Sequence, residues 1–182
     1  MTRAVTGPLR KGASAQRRVA CLRGNARASP QRGGRAASSD VTVTWHGFSR
    51  LARRLARRIP GRYRTWLMIG TNGFRVGAAL HDKVDGARRV NLCYVQARHY
   101  RGKARRSCVS LSPILGRVEA PVLIIDDIID TGDTIRAVKR RIGKRRADVA
   151  VLFVKPWSRV RPDYCVKEID GWVVFPWERT ER

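Results

Sequence analysis

Val122-Leu123-Ile124-Ile125-Asp126-Asp127-Ile128-Ile129-Asp130-Thr131-Gly132-Asp133-Thr134-Ile135 carries two hydrophobic periods in succession, with polar residues at the junction. The aliphatic run after Pro121 predicts a strand buried on both faces, the kind found in parallel sheets. Asp126 and Asp127 end that run, and after a short turn Ile135, Val138 and Ile142 recur at helical spacing. A strand, a loop and a helix N-terminus are therefore expected in direct order. In such a loop the free backbone amides, the positive end of the helix dipole and the hydroxyls of Thr131 and Thr134 converge, which favours an anion. Gly132 lets the backbone approach that anion closely. Ionised Asp126 and Asp127 are pure acceptors, suited to paired hydroxyls such as those of a ribose, or to a hydrated metal. A plainer reading also fits these residues: Thr131 or Asp133 caps the helix and the acids are solvated.

The order aliphatic run, Asp-Asp, two aliphatics, Asp-Thr-Gly-Asp-Thr resembles the signature that binds 5-phosphoribosyl-1-pyrophosphate (PRPP) in the type I phosphoribosyltransferases. The resemblance implies PRPP contacts from Asp126, Asp127, Asp130, Thr131, Gly132, Asp133 and Thr134, with the paired acids on the ribose hydroxyls and the loop on the 5-phosphate. It also implies Mg2+ as cofactor, met by Asp126 and Asp127 indirectly with PRPP. Asp130 takes a catalytic role in this scheme, accepting a hydrogen bond or proton from the purine ring; its alternative is a loop-shaping acid.

Around this stretch, 182 residues suffice for one domain with an appended tail and a sizeable core. Lys and Arg number 39 against 14 acids, a formal charge of +25, which points toward polyanionic ligands or nucleic acid without specifying an activity. Cys21, Cys93, Cys108 and Cys165 form no CxxC pair, so no metal cage is expected. With no signal-like or bilayer-spanning apolar run, a reduced cytoplasm is the expected location, with no membrane association. Residues 1–39 hold nine Arg or Lys and no acid, and they lack apolar periodicity. They are expected to be a disordered basic tail, with residues 40–182 forming the folded domain. Three uses remain open for the tail: an inert extension, an organelle-targeting segment, or nonspecific association with nucleic acid.

Further along, Phe48, Leu51, Ala52, Leu55 and Ile59 make the apolar stripe of a helix that Thr44 would cap and Pro60-Gly61 would stop. Val41 to Trp45 resembles the opening of bacterial and archaeal 6-oxopurine phosphoribosyltransferases. Thr65 to Ile69 reads as a strand, Gly70-Thr71-Asn72-Gly73 as a turn, and Phe74 to Val84 as a helix. The resemblance places a pyrophosphate loop at Thr71, Asn72 and Gly73, but the arginine of the usual Ser-Arg-Gly-Gly is absent; Arg75 is its nearest substitute. Val90 to Val95 predicts a third strand. Gln96 to Arg106 lacks core periodicity and reads as a long loop. A flexible lid stands here in the family, making Tyr100, Arg101 and Lys103 candidate pyrophosphate contacts, against the reading of a solvated basic loop. His99 has no assigned role.

After the strand Val149 to Val154 come Lys155-Pro156, Pro162-Asp163-Tyr164, and Trp172-Val173 before Pro176-Trp177-Glu178. These resemble the purine-binding hood of the xanthine-guanine and hypoxanthine enzymes, which implies Lys155, Trp172 and Val173 as purine contacts. On residue type alone Trp172 equally suits a packed core. The expected fold class is α/β, an open, mostly parallel sheet flanked by helices, with a small C-terminal hood and the site at the C-terminal edge of the strands. The expected activity is phosphoribosyl transfer from PRPP to a purine base, hypoxanthine, guanine or xanthine, by a homodimer or higher homo-oligomer. The rival is a PRPP-sensing, nucleic-acid-binding regulator on the same fold.

Overall fold

The structure is a computed structural model that describes residues 40–101 and 107–178. The basic stretch 1–39 and Lys103 lie outside the described residues. In chain order the elements are β1 (Val41–Thr42), α1 (Trp45–Ala56), β2 (Thr65–Ile69), α2 (Gly70–His81), β3 (Asn91–Val95), β4 (Ala97–Arg101), β5 (Ser107–Leu111), β6 (Val122–Ile129), α3 (Asp133–Ile142), β7 (Ala147–Val154), β8 (Tyr164–Glu168) and β9 (Val173–Val174). Five strands form one wholly parallel sheet in the order β3-β2-β6-β7-β8. From β2 the chain passes through α2 to β3 on one side, and from β6 through α3 to β7 on the other. The winding therefore reverses between β2 and β6, and the crevice beyond their C-terminal ends is where ligands bind in open α/β sheets.

Period-2 alternation assigns the central strands to two cores. Trp66, Met68, Leu123, Ile125 and Leu152 face α1 and α2, packing with Leu55, Val76 and Leu80. Leu67, Ile69, Ile124, Val149 and Val151 face α3, packing with Ile135, Val138 and Ile142. Because both faces are covered, the strands read as continuous apolar runs. Thr44 caps α1 as expected, its hydroxyl accepting from Gly47 N at 3.1 Å. In the hood β1 pairs with β9 in parallel, Val41 opposite Val173. Below that pair, Phe175 stacks on Trp177 at 4.7 Å and Phe48 meets Trp177 edge-on at 5.1 Å. Among the described residues no helix is long and apolar enough to cross a membrane.

Three local expectations change. The helix expected over Phe74 to Val84 is α2, Gly70–His81: Gly70, at φ +58, turns the chain from β2 directly into the helix, so Thr71, Asn72 and Gly73 form its first turn. The polar stretch expected as an irregular loop contains β4, which pairs antiparallel with β5, Ala97 opposite Leu111 and Arg101 opposite Ser107. A ribbon with little buried face has no hydrophobic alternation to betray it. Finally, β6 continues past the acids to Ile129 by pairing with β7 through Ile128–Phe153 and Ile129–Val154.

Helix α2 lies unusually close to the sheet. A Cβ at Gly73 would stand 2.6 Å from the Ile125 carbonyl oxygen, and one at Gly77 2.6 Å from Met68 Sδ. Only the sulfur sits on a flexible side chain that can yield. Gly73→Ala is therefore expected to push α2 off β6 and to destabilise the fold by about 1 to 3 kcal/mol in equilibrium denaturation, the usual cost of overpacking. Unchanged stability would show that the helix and strand are not in this contact.

Candidate active site

At the reversal point, Asp126 and Asp127 project from the C-terminal half of β6. Asp127 is buried at 6% exposure, and Asp126 is half-buried. Each carboxylate accepts from the next amide: Asp126 Oδ1 from Asp127 N and Asp127 Oδ1 from Ile128 N, both at 2.9 Å. Asn72 Nδ2, in the first turn of α2, donates to Asp127 Oδ2 at 3.0 Å and so spans the crevice from β2's side to β6. Behind it, Arg75 Nη1 donates to Asn72 Oδ1 at 3.2 Å, and the Arg75 guanidinium lies 5.2 Å from the ring centroid of Trp177 in the hood. Burial first, then the charge of Asp127, push the Asp126 carboxyl well above the ordinary carboxylate range. Burial also raises Asp127, while the contacts from Asp126, the Ile128 amide and Asn72 pull it back.

The next segment is the loop expected to cradle an anion. Asp130 is exposed, and Gly132, at φ +89, turns the chain into α3. A Cβ on Gly132 would stand 2.6 Å from Val160 Cγ2, so the position combines a left-handed conformation with no space. Thr131 Oγ1 donates to Asp133 Oδ2 at 2.9 Å, and the Arg159 amide donates to the Thr131 carbonyl at 3.2 Å, which ties the loop to the segment after β7. Thr134 Oγ1 lies 3.1 Å from His99 Nε2 on β4, so the ribbon reaches the N-terminus of α3. Tyr100 and Arg101 end β4; Lys103 is beyond the described residues.

Lys155, expected as a purine contact, is buried and already has backbone acceptors. It is 6% exposed, and its Nζ donates to the carbonyls of Gly171 and, at 3.3 Å, Asp170, while lying 5.3 Å from the Trp157 ring centroid. A buried ammonium needs acceptors, and the carbonyls leading into β9 supply them. Trp157, which residue type alone did not mark as a site residue, is 53% exposed and donates from Nε1 to Asp130 Oδ1 at 2.7 Å. Asp130, Trp157, Lys155 and Gly171 thus form one chain of contacts that ends beside Trp172. The Trp172 indole is 67% exposed, against the core reading. The carbonyls of Trp172 and Val174 accept from Val41 N and Val43 N. Strand geometry therefore turns the amide and carbonyl of Val173 to the opposite edge, away from β1.

The arrangement joins paired acceptors for vicinal hydroxyls, a helix N-terminus for a phosphate, and an open aromatic face for a flat ring. Trp157 was hidden by spacing, as was the partner of the candidate Asn72: the contacts to Asp130 and Asp127 span long stretches of chain, and no local pattern announces such pairs.

Comparison with known proteins gives the same direction. Residues 46–180 match the family model described as a phosphoribosyl transferase domain. A xanthine-guanine phosphoribosyltransferase of Gluconobacter oxydans is 32% identical over 144 residues, covering 76% of this chain and 84% of its own length. One from Nitratidesulfovibrio vulgaris is 30% identical over 140 residues, covering 75% and 83%. Among solved structures, a purine phosphoribosyltransferase of Pyrococcus horikoshii superposes with a TM-score of 0.61 at 29% identity, covering 76% of this chain and 94% of its own. The xanthine-guanine-hypoxanthine phosphoribosyltransferase of Helicobacter pylori shares the fold, with a TM-score of 0.64 at 18% identity, covering 77% and 94%. With the signature on β6, the parallel sheet that presents it and a domain match over most of the chain in agreement, this protein belongs to the phosphoribosyltransferase family.

Proposed function

We propose that the protein transfers the 5-phosphoribosyl group from PRPP to a 6-oxopurine, hypoxanthine, guanine or xanthine, yielding the nucleoside monophosphate and pyrophosphate in purine salvage. The observation that supports this reading is the contact chain from Asp130 through Trp157 and Lys155 to Gly171, the residue before the exposed Trp172, which links the acid after the carboxylate pair to the hood. In this reading Asp126 and Asp127 accept from the ribose hydroxyls, and the Thr131 to Thr134 amides and hydroxyls hold the 5-phosphate. Pyrophosphate departure from the anomeric carbon develops positive charge on the sugar and negative charge on the leaving group. The usual loop arginine is absent. The amides at Thr71, Asn72 and Gly73 in the first turn of α2 stand in its place, and Tyr100 and Arg101 at the end of β4 are further candidate pyrophosphate contacts. The purine nitrogen bonds to the anomeric carbon as the carbon–oxygen bond to pyrophosphate breaks, and Asp130 takes up the ring proton.

Mg2+ carried on PRPP oxygens would neutralise the leaving group. Asp126 and Asp127 would meet it, since Mg2+ needs only one or two carboxylates when substrate oxygens and water complete its shell. A location in the cytoplasm and a unit that begins at residue 40, after a dispensable tail, belong to this proposal. None of the relatives named above supports the regulator reading.

Turnover of PRPP and Mg2+ with guanine, hypoxanthine, xanthine and adenine tests the assignment. The third N–H of Lys155, left over from the Gly171 and Asp170 carbonyls, would donate to a ring carbonyl and face the amine of adenine unpaired, a cost of about 1 to 3 kcal/mol, so roughly 5- to 150-fold preference for the 6-oxopurines is expected. Equal use of adenine would refute it. Trp172→Ala should lower kcat/KM for all the accepted purines together by a similar factor, because stacking of about 1 to 3 kcal/mol does not read ring substituents.

The raised carboxyl pair generates a second outcome. A carboxyl whose folded pKa is raised stabilises the fold below the ordinary carboxylate range, near about pH 4, and that contribution is lost as pH rises through its folded pKa. Asp126→Asn removes the charge that burial opposes, so at neutral pH the variant should be more stable than wild type, with the difference vanishing in acid. PRPP turnover should fall by at least about tenfold, since a charged acceptor for a ribose hydroxyl has gone. A variant less stable than wild type at neutral pH would contradict the desolvation argument.

A further inference from the structure

Away from the active site, a cleft of about 250 Å3 opens between α1, β1 and the C-terminal ends of β7 and β8. Leu51, Phe153 and Ile169 give it an apolar floor, and Arg50, Arg54 and Lys167 give it a cationic rim. Arg50 and Arg54 are one helical turn apart on the same face of α1. Among the described residues no carboxylate forms an ion pair with any of these three cations. Glu168, the acid beside Lys167, is already bound to Arg161 at 2.7 Å. One turn beyond Arg54, Arg58 is held below the ordinary guanidinium range, first by burial and then by the charge of Arg54. Positive charge is thus crowded at the edge of an apolar hollow without internal compensation. None of the residues lining the cleft belongs to the carboxylate pair, the phosphate loop or the Trp172 face.

The chemistry narrows the occupant. A carboxylate offers one charge, whereas a phosphate monoester carries about 1.5 to 2 negative charges near neutrality and three strong acceptor oxygens. Two guanidiniums and an ammonium suit the latter, and guanidinium forks pair with phosphate in bidentate fashion. The volume lies just below the usual range of ligand pockets, which starts at about 300 Å3, so the ligand is compact and only partly enclosed. An apolar floor containing a phenyl ring calls for a flat or apolar body beside the phosphate. We propose that this cleft is a second binding site, taking a nucleoside monophosphate with its base over Leu51, Phe153 and Ile169 and its phosphate among Arg50, Arg54 and Lys167.

Calorimetric titration of the full chain with GMP tests this. Arg50→Glu/Arg54→Glu and, separately, Lys167→Glu should bind one GMP fewer per chain than wild type, or bind that one at least tenfold more weakly. Their initial rates with PRPP at low product should remain those of wild type, because none of these residues is in the catalytic machinery. Guanosine, lacking the phosphate, should leave the stoichiometry of wild type and variants alike. Equal GMP stoichiometry and affinity in wild type and both variants would overturn the proposal, including the case in which a second copy of the chain covers the cleft. Inorganic phosphate matching GMP at the variant-sensitive site would overturn its nucleoside half. The proposal does not rest on the catalytic reading: absence of turnover in wild type would sink that reading, while the difference between wild type and variants still decides the cleft.

Discussion

Two adjacent carboxylates, one buried and one half-buried, stand in the C-terminal half of β6, and much of the surrounding architecture serves to hold them. Burial opposes the ionisation of both, and the charge of Asp127 opposes that of Asp126 as well. The fold answers with amides from the next residues in the strand and with Asn72 from the neighbouring helix. That last contact is possible only because Gly73 lets α2 lie against the Ile125 carbonyl. Helix packing and carboxylate orientation are consequently one constraint. A sheet wound in a single direction would have no crevice between β2 and β6 in which to place the pair.

The second half of the site is assembled by polar contacts across long sequence separations. Lys155 is spent on carbonyls of the segment leading into β9, and its charge also faces Trp157, whose indole N–H holds Asp130. Trp157 thereby couples the orientation of the proposed proton acceptor to the seating of the hood. Arg75, which might have been free for a leaving group, is engaged with Asn72 and the face of Trp177. The departure from the usual loop arginine is therefore structural as well as chemical: the cation nearest that position binds the hood to the carboxylate pair.

The formal charge of +25 acquires a more specific meaning once the chain is folded. Some arginines pair with acids, such as Arg62 with Asp148 at 2.8 Å. Arg58 donates to the Cys165 carbonyl. Arg50, Arg54 and Lys167 instead surround an apolar hollow. Overall charge speaks to solubility and nonspecific attraction, whereas unpaired cations gathered over an apolar floor imply a ligand of particular size and charge.

By itself the sequence determined the features that depend on short-range pattern: the buried strands at Leu67, Ile124 and Val151, the Thr44 cap, and the strand-loop-helix turn with its glycine at Gly132. Aliphatic runs report burial on both sheet faces, and a loop that opens a helix carries its anion-binding amides wherever the helix packs. The tertiary structure decided what those patterns could not contain. Gly70 turns the expected loop into the first turn of α2 because a positive φ is a property of the backbone path. The β4–β5 ribbon forms by pairing, without the buried face that would have left an alternating signal. Lys155 is buried and Trp157 bound to Asp130 because the connection after β7 folds back onto the loop at residues 131–134. Contacts between residues such as Asn72 and Asp127 leave no periodic trace, since they exist only after the sheet has brought their elements together.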